Sequence, residues 1–280
     1  SHKSMKIIKS IPLMQSISKK AHKPVGLVPT MGSIHEGHIK LINKSKKQNT
    51  TTIVTLFVNP TQFGKDEDFH TYPRNFQRDK NLLSNLGVDI LFAPEASKMY
   101  PKEFQTSVIN DKLSSVLEGE KRPSHFRGVS TIVSKLFNIT KPNNAYFGQK
   151  DFQQLLIINK LNNDLNHGVQ IISIPTVREK DGLALSSRNI HLNQSERKAA
   201  NKIYTSLKHA KSLYLNGEVN SDSIIYAIQT SLLKESLIKI EYISIRDKFT
   251  FENVSTIMPG SIILIAVSIG KTRLIDNLII

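Results

Sequence analysis

The sequence predicts an α/β protein, with a parallel-sheet domain over residues 5–175 followed by a smaller α+β domain over 176–280. Three observations predict it. Short β-branched runs alternate with longer amphipathic ones from Val25 to Asp164. The run Thr52-Ile53-Val54-Thr55-Leu56-Phe57-Val58 is β-branched or aromatic nearly throughout, as a strand buried on both faces is. After the segment 178–189 the composition changes.

In order, a first strand is expected over 25–29, with Thr30-Met31-Gly32-Ser33 turning into a run that carries Leu41 and Ile42. Asn59-Pro60 closes the second strand, 52–58. Helical spacing through Phe76, Leu82, Leu83 and Leu86 predicts a helix over 75–86, with Gly87 as its cap before a strand over 88–92. Periodicity weakens between Pro101 and Arg127, where a short helix over 113–117 precedes a polar loop over 118–125 suited to covering a site or bridging subunits. A helix over 129–137, a strand over 145–147, a helix over 151–161 and a strand over 169–174 complete the first domain. The second is expected to hold helices over 195–215 and 224–233 and strands over 238–245 and 262–267.

Composition narrows the function. The 280 residues contain no cysteine, which excludes disulfides, thiolate metal sites, cysteine proteases and thiol redox chemistry, and makes the cytoplasm the natural setting. The net charge of +15 favours anionic partners such as nucleotides and carboxylates. It comes mainly from lysines scattered among Asn and Ser without interleaved aromatics, so a solvated surface accounts for it better than a nucleic-acid face. No apolar run reaches the length of a membrane span, even over 261–270. Ser1-His2-Lys3-Ser4, ahead of Met5, has no apolar signal core and reads as an added remnant.

Four segments carry candidate chemistry. In Pro29-Thr30-Met31-Gly32-Ser33-Ile34-His35-Glu36-Gly37-His38 a helix starting near His35 would point two imidazoles the same way, beside a positive helix end and a glycine turn that suit phosphate. Polar helix-start residues are the bland alternative, and the corner following a strand of an open sheet weighs against it. In Phe57-Val58-Asn59-Pro60-Thr61-Gln62-Phe63-Gly64, Asn59 and Gln62 offer amides for a carboxylate or hydroxyl. A plain turn explains Asn59-Pro60 well and the apolar-flanked Gln62 less well. Next to it, Asp66, Glu67 and Asp68 read as a solvated acidic loop more readily than as a metal site. In Phe147-Gly148-Gln149-Lys150-Asp151-Phe152-Gln153-Gln154, Lys150 suits phosphates at a helix start, and Asp151 suits a ribose, Mg2+ or a helix cap. In Val177-Arg178-Glu179-Lys180-Asp181-Gly182-Leu183-Ala184-Leu185-Ser186-Ser187-Arg188-Asn189, two hydroxyls and a guanidinium make a compact donor set for polyphosphate, although serine-rich linkers are common.

Together these motifs resemble the pantothenate synthetase family, within the adenylate-forming nucleotidyltransferases, across nearly the whole chain. Tyr72-Pro73-Arg74, Arg122-Pro123-Ser124-His125-Phe126-Arg127-Gly128-Val129 and Thr272-Arg273-Leu274-Ile275-Asp276-Asn277 extend the match. Leu185 stands where many members have Met, a swap that keeps bulk, and Arg127 fills a variable place. The resemblance implies a Rossmann-like sheet domain and a cytoplasmic homodimeric ligase that condenses D-pantoate with β-alanine. ATP and Mg2+ drive the reaction, which passes through a pantoyl-adenylate and releases AMP and pyrophosphate. It also implies that His35, His38 and Lys150 are catalytic. ATP would be bound by Met31, His35, His38, Gly148, Lys150, Asp151, Val177, Ser186, Ser187 and Arg188, and pantoate by Asn59, Gln62 and Gln154. The metal ligands stay open, Asp79 among them, and neither a nucleic acid nor a membrane is an implied partner. A phosphopantetheine or nicotinate mononucleotide adenylyltransferase would share the histidine corner but keep AMP joined to its product. A nonenzymatic RNA-binding protein would explain the charge and leave the amides and the Ser-Ser-Arg segment unexplained.

Overall fold

A computed structural model describes residues 3–280, so Ser1 and His2, part of the segment expected to be a remnant, lie outside the described residues. The chain divides into two compact units. The first runs through Gln149 and resumes over 153–175; the second comprises Lys150–Phe152 and Thr176–Ile280.

In the first unit, strands β1 (Lys6–Ile8), β2 (Val25–Thr30), β3 (Thr51–Leu56), β4 (Ile90–Phe92), β5 (Asn144–Gly148) and β6 (Gln170–Ile174) form one sheet in the order β1-β4-β3-β2-β5-β6. Every pairing is parallel. Val28, Val54 and Leu91, in register across three strands, pack with Ile42 of α2 (Glu36–Gln48) and Leu83 of α3 (Phe76–Asn85). The alternate residues Leu27 and Ile53 are equally buried on the other face. That two-sided burial is why these strands read as continuous apolar runs. A polar layer pins α2 to the sheet: the buried Tyr146 hydroxyl donates to Gln48 Oε1 (2.8 Å) and accepts from Asn49 Nδ2 (2.8 Å). Connections leave β2 toward β3 and β5 toward β6, on opposite sides, so the carboxyl ends of the neighbours β2 and β5 flank a topological switch point, where open α/β sheets bind ligands.

In the second unit, β7 (Ile238–Asp247), β8 (Ser261–Ile269) and β9 (Thr272–Ile279) form an antiparallel sheet. Helices α8 (Gln194–Leu215) and α9 (Ser221–Leu233) complete its core through Leu207, Ile224 and Ile228 against Ile263, Ile265 and Val267. A capping box, in which Asn193 accepts from Glu196 N and Glu196 accepts from Asn193 N, starts α8.

Several expectations are corrected. β1 and the helix α1 (Ile11–Lys20) precede the first expected strand, and β9 follows the last. The short helix expected over 113–117 is a series of turns, because Gln153 Nε2 takes the carbonyls of Leu113 (2.7 Å) and Val116 (2.8 Å) and Leu117 adopts a positive φ of 47°. The short helix α4 (Ala96–Met99) follows β4, and the loop expected over 118–125 instead contains a helical turn, α5 (Glu118–Lys121), and the start of α6 (His125–Thr140), which is longer than its apolar run.

Candidate active site

The corner after β2 is organised by its backbone. Gly32 (φ +84°) and Ser33 (φ +52°) turn the chain in left-handed conformations. The turn is caught by Asp79 of α3, 1% exposed, whose carboxylate accepts from Ser33 N (2.8 Å) and Ile34 N (2.9 Å). Arg78 completes the clasp, reaching the Asp79 carboxylate (3.2 Å) and the Ile34 carbonyl (3.0 Å). His35 then caps α2. Its Nδ1 accepts from Gly37 N (3.0 Å), and its own N–H donates to His38 Nδ1 (3.1 Å). A ring nitrogen that accepts a backbone N–H carries no proton, so both imidazoles bear theirs on Nε2 in this geometry. The rings lie 4.0 Å apart, which gives two adjacent neutral N–H donors at a helix start.

The shelf beyond β3 is the turn Pro60–Gln62. Asn59, 1% exposed, donates from Nδ2 to Gln62 Oε1 (2.9 Å) and Gly128 O (3.1 Å), and accepts on Oδ1 from Thr61. Gln62 is thereby oriented with its oxygen satisfied and its Nε2 donors left over. His125 Nδ1 lies 3.0 Å from the Gln62 carbonyl, which places a proton on Nδ1 and holds the shelf from α6. A Cβ at Gly128 would come within 2.5 Å of Gln62 N and Cα, so only glycine allows α6 this close to the turn. The half-buried Tyr100 hydroxyl, 3.2 Å from the Thr61 hydroxyl, has its pKa raised by desolvation, which keeps it a neutral phenol. Glu67 of the expected acidic loop is engaged by Arg122 at 2.5 and 2.9 Å.

In the second unit, the segment after Thr176 is a hairpin, with Leu185 N donating to Val177 O (2.9 Å) and Glu179 N to Leu183 O (2.8 Å), rather than a loose linker. Arg178 holds it: the guanidinium makes two bonds to Asp276 (2.6 and 2.9 Å), donates to Gly182 O (3.1 Å) and stacks 3.8 Å from the Tyr204 ring centroid. Ser186 Oγ accepts from Arg188 N (3.2 Å) and caps the turn Ser187–His191, so its own hydroxyl hydrogen remains for another acceptor. Lys150 and Asp151 lie in the turn Gln149–Asp151, and Asn277 Nδ2 donates to Lys150 O (3.0 Å).

Of the residues expected at a site, the first unit therefore gathers Met31, His35, His38, Asn59, Gln62 and Gly148 at the carboxyl ends of the neighbouring strands β2, β3 and β5. Gln154, half-buried, follows in α7 (Phe152–Asp164). The second unit contains Lys150, Asp151, Val177, Ser186, Ser187 and Arg188. Sequence reasoning left the parts played by Asp79, Gly128, Gln153, Asp276 and Asn277 unread. Asp79 had a signal: a carboxylate on the stripe Phe76, Leu82, Leu83, Leu86 implies a buried, partnered charge. Asp276-Asn277, breaking an apolar strand pattern, had another.

Among the described residues no group of three or more His, Asp or Glu side chains could hold a metal ion. Asp79 is committed to backbone N–H groups and Glu67 to Arg122, so neither of these two carboxylates suits a resident Mg2+. No described helix is long and apolar enough to cross a membrane.

The comparisons with known proteins agree with this architecture. A family model described as pantoate-beta-alanine ligase matches residues 6–279. A pantothenate synthetase of Dehalococcoides mccartyi is 51% identical over 265 residues, covering 95% of this chain and 99% of its own. One from Caldicellulosiruptor bescii is 47% identical over 279 residues, covering 99% of each chain. Among solved structures, pantothenate synthetase of Thermus thermophilus superposes with a TM-score of 0.94 at 38% identity, covering 98% of this chain and 99% of that one. Pantoate-beta-alanine ligase of Francisella tularensis, complexed with beta-gamma ATP and beta-alanine, superposes with a TM-score of 0.81 at 38% identity, covering 99% and 98%.

Proposed function

The chain belongs to the pantoate-beta-alanine ligase family, and on that footing we propose how its residues divide the chemistry. It condenses D-pantoate with β-alanine at the expense of ATP, through a pantoyl-adenylate, giving pantothenate, AMP and pyrophosphate. The observation that carries this activity is the family match over 6–279.

Pantoate's carboxylate is anionic at neutral pH, so it needs orientation and relief from phosphate repulsion more than a base. Gln62, with Nε2 to donate, holds pantoate together with Asn59, which braces Gln62, and Gln154. One carboxylate oxygen attacks the α-phosphorus as the bond to pyrophosphate breaks. His35 and His38 donate from Nε2 to the phosphate oxygens as charge builds there, and two neutral donors at a helix start serve this without a protonation event. Lys150 places a point charge, and Ser186, Ser187 and Arg188 further donors, on the polyphosphate. Met31 lies beside both ligands; Gly148, Asp151 and Val177 line the adenosine pocket. In the second step β-alanine gives up its ammonium proton to solvent, the neutral amine attacks the acyl carbon, AMP leaves with the former carboxylate oxygen, and a second proton passes from nitrogen to solvent as the amide forms.

ATP enters as its Mg2+ complex, the ion held by phosphates and water as part of the substrate. Residues 5–175, apart from Lys150–Phe152, form the nucleotide- and pantoate-binding domain, and 176–280 with Lys150–Phe152 the smaller domain that supplies the polyphosphate donors. The protein works as a cytoplasmic homodimer, its lysine-rich surface solvated rather than bound to nucleic acid or membrane. The test supplies ATP, Mg2+ and D-pantoate and then adds β-alanine. Pantoate-dependent pyrophosphate release, followed by AMP and amide on adding the amine, is expected; AMP retained in the final product would instead indicate an adenylyltransferase.

A further inference from the structure

The reading of Lys150 as a phosphate-binding residue leaves open how a flexible side chain is kept on target. Lysine is a point charge on a four-carbon stem, so what a protein controls is where that stem begins. Here it begins in a turn of only three residues, Gln149–Asp151, and a short 3-10 turn holds itself weakly. Two partners far along the chain supply the hold. Asn277, 1% exposed on β9, donates to the Lys150 carbonyl (3.0 Å) across 127 positions. Phe152 stacks on the buried Phe251 with ring centroids 6.5 Å apart. The residue before Asn277 serves the other donor set: Asp276 grips Arg178, which shapes the hairpin leading to Ser186-Ser187-Arg188, and the turn Ser187–His191 packs against β9 itself. Successive strand residues point to opposite faces, so one dipeptide can reach two separate segments.

We propose that Asn277 is a positioning residue for adenylation, fixing the turn from which Lys150 reaches the polyphosphate while its neighbour Asp276 fixes the hairpin that carries Ser186, Ser187 and Arg188. The proposal rests on Lys150 binding phosphate, and its test separates the two ideas. Pantoate-dependent pyrophosphate release is measured for Lys150→Ala, Asn277→Ala and the double variant, with the Michaelis constants for ATP and pantoate and the melting temperature of each. Asn277→Ala is expected to slow adenylation about 10- to 100-fold, as small misplacements of a reacting group do, with the pantoate constant unchanged. The double variant is expected to be no slower than Lys150→Ala alone, because the bond from the Asn277 side chain serves adenylation through that lysine. Losses that multiply in the double variant, or a normal rate in Asn277→Ala beside a slow Lys150→Ala, would overturn the proposal. A normal rate in Lys150→Ala would instead overturn the phosphate role beneath it. Asn277→Asp removes the Nδ2 donor while keeping the shape and repeats the measurement should the alanine variant not fold. Failure of both to fold would show that the bond serves the fold rather than the lysine and would also reject the proposal.

Discussion

The histidine corner and the lysine turn each follow a strand of the same parallel sheet, yet they are stabilised over very different distances along the chain. The corner largely organises itself: His35 and His38 bond backbone groups within three residues, and Asp79 closes the turn from the next helix but one. The lysine turn has its carbonyl held by Asn277, three residues from the end of the chain. A self-capped corner depends on its own atoms and on one clasp, Asp79. A turn tethered from afar can be disabled by a residue that touches no ligand.

The largest expected effect tests the shared premise of that contrast. His38→Ala and Lys150→Ala should each slow pantoate-dependent pyrophosphate release by about 10²- to 10³-fold, the usual loss for one transition-state donor, while circular dichroism and melting temperature stay near native. Near-native adenylation in either variant would remove that region from the chemistry. Next comes Asp79→Ala, which leaves one buried and one half-buried backbone N–H without their acceptor and should cost about 2–3 kcal/mol in denaturant unfolding, with a fall in adenylation. An unchanged midpoint would mean the corner holds without its clasp and is more self-sufficient than described.

Gly128→Ala sharpens the picture of the neighbouring shelf. Its Cβ would press on the Gln62 backbone, and overpacking of that kind costs about 1–3 kcal/mol. The variant should show a lowered midpoint together with a raised pantoate Michaelis constant, whereas Gln62→Ala should raise that constant with little loss of stability. The smallest effect lies away from both regions. Burial first, and the charge of Lys141 second, hold the His167 imidazole below its ordinary pKa. The unfolded chain therefore takes up this proton at a higher pH than the native protein does. The stability contributed by the neutral ring is complete above the ordinary imidazole value and is lost as pH falls from there through the lowered native one. Melting temperature should drop between about pH 7.5 and 5, and His167→Gln should flatten that slope.

Much of this is legible along the chain. The strands of the parallel sheet appear as apolar β-branched runs because both their faces are buried, and Gly32 and His35 mark the corner because turning and capping are carried by a few adjacent residues. α6 reads too short because its first turn, from His125, packs on the Pro60–Gln62 turn rather than on an apolar neighbour, so no hydrophobic period announces it. The turns over 113–117 read as helix because local spacing cannot show that Gln153 captures their carbonyls. Asn59 and Gln62 are recognisable as a polar pair, but which of the two keeps donors to spare follows only from their bond to each other and to Gly128.

By itself, the sequence determined the alternation of strands and helices, the glycine turn with its two histidines, and the family motifs, since each depends on residues close together in the chain. The tertiary structure alone decided that Asp79 clasps the corner, that Gly128 sets how near α6 comes to the shelf, and that Asp276 and Asn277 steady the hairpin and the lysine turn. Those relations join residues from 45 to 127 positions apart, and hydrogen bonds and steric contacts over such spans exist only once packing has brought the partners together.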